Sequence, residues 1–170
     1  VTFRTDPGVS VPLRSGKGHL LRCFRALLDE QAEGGTDFDQ GMGNAIAAHR
    51  RRGLTVVLSD FMDNPEAIAK KLSRLRFQNS DVIAMQIIDP GEQDLDFNSV
   101  TRFHDLESGE ILSVDPQLIR KAYRKAFARH TLALKEHCRR YGFQHIALTV
   151  EDNYEVPVLE YLRWRVEVTS

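Results

Sequence analysis

Leu54-Thr55-Val56-Val57-Leu58-Ser59-Asp60-Phe61 is a nearly continuous apolar run, rich in β-branched residues and entered from the basic cluster Arg50-Arg51-Arg52-Gly53. A strand buried on both faces reads this way, and such strands stand in the middle of parallel sheets. Few architectures accommodate one, because helices must cover both faces of its sheet. The run ends in Ser59 and Asp60, where the chain should leave the sheet. Ligands of open α/β sheets sit outside the carboxyl ends of the strands, at a topological switch point. Asp60 is therefore a site candidate. The competing role is to cap the turn before the helix that begins near Pro65, and position alone does not separate the two.

The flanking sequence supplies the layers that such a strand requires. His19 to Glu30 places Leu20, Leu21, Phe24, Leu27 and Leu28 at helical spacing, so one face should pack on the sheet. Ser15-Gly16-Lys17-Gly18 before it lacks the phosphate-loop spacing and reads as a loop. Gly34-Gly35 breaks that helix, and Thr36 and Asp37 can cap a second one over Phe38 to Arg51. After the strand, Asp63-Asn64-Pro65-Glu66 starts a helix running to about residue 77. Asp81 to Ile88 is a further buried strand, broken by Asp89-Pro90-Gly91. Val100 to Leu106 and Ile111 to Val114, flanking Glu107-Ser108-Gly109-Glu110, form a hairpin signal. Pro116 opens the longest helix, which Gly142 stops. A strand from Phe143 to Val150 and a helix from Val156 to Trp164 complete the order. Val1 to Arg4 and Val9 to Leu13 are weaker strand candidates, the second interrupted by Pro12. The order predicts an α/β layered fold.

Composition narrows the function classes. A chain of 170 residues is long enough for one domain with a real core. Its net charge of −1 argues against a general nucleic-acid or membrane-surface role. No apolar stretch approaches the length of a membrane span. The two cysteines, Cys23 and Cys138, are far apart and outside any Cys-x-x-Cys, which points to free thiols in a reducing, cytoplasmic setting. None of the six histidines stands in a zinc pattern. Gly-x-Ser-x-Gly and Gly-x-Gly-x-x-Gly are both absent. Asp60 and Asp63 have the carboxylate spacing of some magnesium phosphotransferases, without the lysine or glycine loop that such chemistry needs.

Two fragments carry more information together. Gly34-Gly35-Thr36-Asp37 precedes a helix, and Leu58-Ser59-Asp60-Phe61 ends the strand that follows it. In order and spacing this resembles the von Willebrand factor A domain, and more closely the bacterial proteins of domain-of-unknown-function group fifty-eight that occur beside MoxR-type AAA+ ATPases. Arg14-Ser15-Gly16 with His19-Leu20, the segment from Arg51 to Pro65, Phe103-His104-Asp105-Leu106-Glu107-Ser108-Gly109-Glu110 and Val114-Asp115-Pro116 extend the likeness over nearly the whole chain. The resemblance implies a single Rossmann-like domain over residues 1–170, a three-layer α/β sandwich with a mostly parallel sheet and an antiparallel edge hairpin. It also implies a metal-ion-dependent adhesion site in which Thr36 and Asp60 hold magnesium, with one position left for a partner's carboxylate. The family's first site motif, Asp-x-Ser-x-Ser, has no match here, and two ligands are too few for a tight magnesium site.

The chain opens at Val1-Thr2-Phe3 as though a strand were already under way. The expectation is a domain lacking the first strand and helix of its fold. The Leu54 to Ser59 strand should then show an unpaired edge, open to strand exchange between copies. The function expected is non-catalytic: a protein-interaction module whose partner, on the resemblance, is a MoxR-type ATPase. The rivals are a structural domain with a vestigial metal site and a magnesium-dependent phosphoryl-transfer enzyme using Asp60 and Asp63.

Overall fold

A computed structural model describes residues 2, 9–12, 14–30, 43, 53–76, 81–97, 99–104 and 111–169. The helix expected over Phe38 to Arg51 lies outside the described residues except at Gly43, which is helical. Thr36 lies outside them altogether. Residues 9–12 are not in a strand, although Val9 exchanges hydrogen bonds with Thr2.

Three parallel strands form the main sheet: β1 (Leu54–Ser59), β2 (Asp81–Ile88) and β5 (Gln144–Thr149), in the order β1-β2-β5. The register aligns Val57 with Ala84 and His145, and Leu58 with Met85 and Ile146. Helix α2 (Pro65–Arg76) returns the chain from β1 to β2. Between β2 and β5 come the short α3 (Pro90–Asp94), the hairpin strands β3 (Thr101–His104) and β4 (Ile111–Val114), and the long α4 (Pro116–Arg140). Helix α5 (Glu155–Thr169) follows β5. The expected antiparallel hairpin forms as a two-stranded sheet of its own.

Local chemistry explains where these elements begin and end. Asn64 caps α2, its Oδ1 accepting from Ala67 N–H at 3.0 Å. Asp115 caps α4, accepting from Gln117 N–H at 3.0 Å, and Pro116 fills the first helical position. Gly142 ends that helix at φ 79°, a left-handed conformation that glycine adopts without strain. The Arg76 guanidinium packs where a Cβ on Gly142 would lie, and donates to Tyr141 O at 2.8 Å. Asp89-Pro90-Gly91 starts α3 where the sequence suggests only a break: Asp89 caps it and Pro90 opens it.

Helices α2 and α4 cover one sheet face. Leu72, Leu75, Leu134 and Cys138 meet Val57, Val82 and Ala84 there. Full burial of each large aliphatic side chain contributes roughly 1.5–3 kcal/mol. On the other face, Tyr161 of α5 packs with Ile83, Met85 and Leu148. Central burial on both faces belongs to β2, which is buried without a break from Val82 to Gln86. The sequence assigns that place to β1, but β1 is a margin among the described residues: it pairs only with β2, and Val56 and Leu58 are 43% and 59% exposed. Both side chains lie on the α5 face, and the cluster that α5 builds there centres on β2 and β5.

Helix α1 (Lys17–Leu28) forms with the expected periodicity but buries none of its residues. Leu20, Leu21, Phe24 and Leu27 all stay more than half exposed. Among the described residues the expected packing of this face on the sheet is therefore not found. The two faces of the three-stranded sheet are taken by α2 with α4 and by α5, and α1 joins neither core cluster. Both cysteines are free, and burial pushes the Cys138 thiol up to about 12. Among the described residues no helix is long and apolar enough to cross a membrane.

Candidate functional site at the carboxyl end of the sheet

At the end of β1 the chain makes a tight, strained turn. Phe61 has φ 51°, and a bulky non-glycine residue in the left-handed region is a genuine outlier. Such strain costs of order 1–3 kcal/mol and persists only where the surroundings hold it. Here they hold it from several directions. The Phe61 ring is 2% exposed, locked in the core beneath α2 and α4. Its N–H donates to Ser59 Oγ at 3.1 Å. Its carbonyl accepts from His130 Nε2 of α4 at 2.7 Å. One residue earlier, the Asp60 carbonyl accepts from Gln86 Nε2 at 3.0 Å.

Gln86 is the centre of this arrangement. It is fully buried in the middle of β2, on the α4 side of the sheet. A buried amide needs partners for both ends. Gln86 donates to Asp60 O, while its Oε1 accepts from His145 Nε2 of β5 at 3.1 Å. One side chain thus ties the end of β1 to β5 across β2. Burial, with Lys135 and His130 adding to it, lowers the pKa of His145 to about 4, so the ring is neutral near pH 7.

What this scaffold presents is the Asp60 carboxylate. It is exposed, and among the described residues it accepts one hydrogen bond, from Ser59 Oγ at 3.2 Å. Asn64 caps the next helix, so the capping role does not fall to Asp60. Asp63 accepts from Asn64 N–H at 2.7 Å and belongs to the helix entry. Asp89 and Glu92, at the end of β2, share the apex with Asp60. The pKa of Glu92 is raised, first by burial and then by the like charges of Asp89 and Asp60.

The magnesium reading pairs Asp60 with Thr36, which lies outside the described residues. Among the described residues no group of three or more His, Cys, Asp or Glu side chains is placed to hold a metal ion. Of that pair, Asp60 alone is among the described residues.

Sequence reasoning placed Asp60 at a strand end, as it stands after β1, and did not single out Gln86, His130 or His145. The one available signal was a glutamine interrupting the apolar run Val82 to Ile88. A buried polar residue inside a strand asks for a partner.

The family profile described as protein of unknown function DUF58 matches residues 1–133. The chain belongs to this family. It is also 27% identical over 162 residues to an uncharacterized protein of Mycobacterium bovis and to uncharacterized proteins of two Mycobacterium tuberculosis strains. These alignments cover 91% of this chain and 50% of each relative, so the chain spans about half the length of the curated relatives it matches. No solved structure matches at a significant level. The matched region contains the Ser59-Asp60-Phe61 turn, Gln86 and His130, whereas His145 lies beyond it.

Proposed function

We propose that this DUF58 chain is a non-catalytic protein-interaction module of the von Willebrand A type. It works in the cytoplasm, with Asp60 as the contact point for a partner. The partner proposed is a MoxR-type AAA+ ATPase, in an assembly or chaperoning role. One observation carries the reading: strained Phe61, held by its buried ring, Gln86 and His130, fixes the backbone that presents exposed Asp60. Strain kept in place by several independent contacts is typical of ligand-contacting turns. The neighbouring Asp89 and Glu92 make the apex acidic, which favours a basic partner surface. The phosphoryl-transfer alternative is weakened because Asp63, its second carboxylate, serves the helix entry.

The test is calorimetric titration of the chain with a purified MoxR-type ATPase from the same genome. Asp60→Ala should weaken binding by at least about tenfold, or about 1.4 kcal/mol. Equal affinities for the two proteins would remove Asp60 from the interface. Magnesium-dependent turnover of a phosphate ester, abolished by Asp60→Asn, would transfer the assignment to the enzyme.

A further inference from the structure

The outer edge of β5 faces a cleft of about 910 Å³ whose lining reaches Ile88 and Gln93 but not Asp60, Asp89 or Glu92. Every residue of β5, from Gln144 to Thr149, lines it. Successive side chains of a strand point to opposite faces. A cleft touched by all of them therefore runs along the hydrogen-bonding edge, not over one face. One wall is a stripe of α4 that includes Phe127, Thr131 and Lys135. The other is a stripe of α5 that includes Pro157, Tyr161 and Trp164. Both show the three- and four-residue steps of a single helix face. The result is a slot with a strand edge as its floor and a helix on either side.

The backbone pattern shows what the floor offers. Val150 N–H donates to Ile88 O at 3.0 Å, across the β2–β5 pair. By alternation the peptide groups of Ile146 and Leu148 also turn towards β2, and those of His145, Ala147 and Thr149 turn into the slot. The Thr149 N–H is already taken by Asp152 Oδ2 at 3.0 Å. Among the described residues, His145 and Ala147 are left presenting their N–H and C=O groups outward in strand geometry. An edge of this kind is a template for one more strand.

We propose that this slot binds an extended peptide segment of a partner protein by β-strand addition, with acidic side chains directed at α4 and aliphatic ones at α5. The proposal stands independently of the Asp60 reading. The helical walls choose the occupant: a second copy pairing β5 with β5 would bring its own α4 and α5 against these, whereas a single strand enters between them. Charge and polarity choose its side chains. On the α4 wall Arg124 is engaged by Asp94 at 3.0 Å, while Lys135 is exposed. On the same wall Thr131 Oγ1 is buried without a hydrogen-bond partner among the described residues. A carboxylate on the incoming strand pairs with the Lys135 ammonium, on the stripe that Thr131 also lines. The α5 wall offers the Tyr161 and Trp164 rings, 5.9 Å apart, with Glu160 beside them to repel a second acid. Main-chain bonds supply affinity and alternate side chains supply selectivity, as in other strand-addition sites.

The test uses the intact chain and a blocked hexapeptide of alternating glutamate and valine, with alternating lysine–valine and backbone N-methylated versions as controls. Trp164 is the chain's single tryptophan and lines the slot, so its fluorescence reports binding. Amide exchange read by NMR should slow at His145 and Ala147 by at least about tenfold on saturation with the glutamate peptide. Lys135→Glu should weaken binding by at least about tenfold. Ala147→Pro should abolish it, since proline is tolerated on an edge whose N–H points outward but supplies no donor. The N-methylated peptide should not bind. The proposal is overturned if the His145 and Ala147 amides are unaffected by the glutamate peptide, or if the lysine peptide binds equally well. Concentration-dependent slowing at these amides without peptide would overturn it too, by assigning the edge to a second copy.

Discussion

Gln86 occupies the position in β2 where an apolar residue would satisfy the sheet and leave the β1 turn unheld. Replacing it with leucine conserves the approximate volume but strands the Asp60 carbonyl and the His145 N–H. Gln86→Leu should therefore destabilise the fold by about 1–3 kcal/mol in urea titrations, the cost of leaving buried polar groups unpaired. Amide exchange should rise at residues 60–62 more than in the β2–β5 ladder. His145 adds a pH dependence with a definite sign. Its ordinary value of 6.5 is lowered to about 4 in the fold, so the unfolded chain binds the proton more tightly between those values. Its contribution is fully present above about pH 6.5 and is lost as pH falls through about 4. Allowing for the part of the ring that solvent screens, the loss is roughly 1–3 kcal/mol. His145→Gln should flatten the fall in urea midpoint between pH 7 and pH 4.5, and an unchanged slope would assign that dependence to other groups. The place of Asp60 at a strand end was legible in the sequence, because such an end marks itself by a change from apolar to polar residues. The supports of its turn were not legible, since Gln86 bonds to Asp60, His130 to Phe61 and His145 to Gln86 through contacts 26 to 69 residues apart in the chain.

Elements whose signal lies in their own residues formed as the sequence predicts. Asp81–Ile88 matches its expected bounds, and α2 and α4 begin at Pro65 and Pro116, where a capping residue and a proline lie together. Elements whose packing depends on neighbours formed too, but are not covered as their composition suggests. The composition of β1 suits a central strand, but its place depends on which strands pair with it. Helix α1 has the periodicity of a packed helix, and periodicity does not say what the apolar face meets. Helix α3 was hidden because aspartate, proline and glycine in succession serve a turn and a helix start equally well. The α4–β5 junction gives the sharpest test at this scale. Gly142→Ala places a Cβ in the left-handed region and against the Arg76 guanidinium, which would have to release Tyr141 O. The variant should lose about 1–3 kcal/mol in chemical denaturation. Adding Arg76→Ala should recover part of that loss by clearing the space. A double variant no better than the single one would assign the whole cost to backbone strain.

At the scale of the whole molecule the sheet has two margins of different character. The β5 margin is recessed between helices, whereas the β1 margin is open among the described residues. Asp81 N–H donates to Gly53 O at 2.8 Å, so alternation turns the peptide groups of Thr55 and Val57 towards β2 and those of Leu54, Val56 and Leu58 away from it. The same outer residues expose apolar side chains at Val56 and Leu58. Each large apolar side chain left uncovered forgoes roughly 1.5–3 kcal/mol, a large share of the about 5–15 kcal/mol that holds a typical domain together. An open apolar edge also recruits other chains. The 170-residue chain expressed by itself should therefore self-associate through β1, with the oligomer growing with concentration in light scattering. Leu58→Lys puts a charge on that edge, and because Leu58 is already 59% exposed the substitution removes little packing. It should shift the chain to monomer while changing the unfolding free energy by less than about 0.5 kcal/mol. Amide exchange should agree, with Val57 protected in both proteins and Val56 and Leu58 protected only in the associated wild type. A wild-type chain that stays monomeric at high concentration with slow exchange at Val56 and Leu58 would show that its own residues already cover the edge.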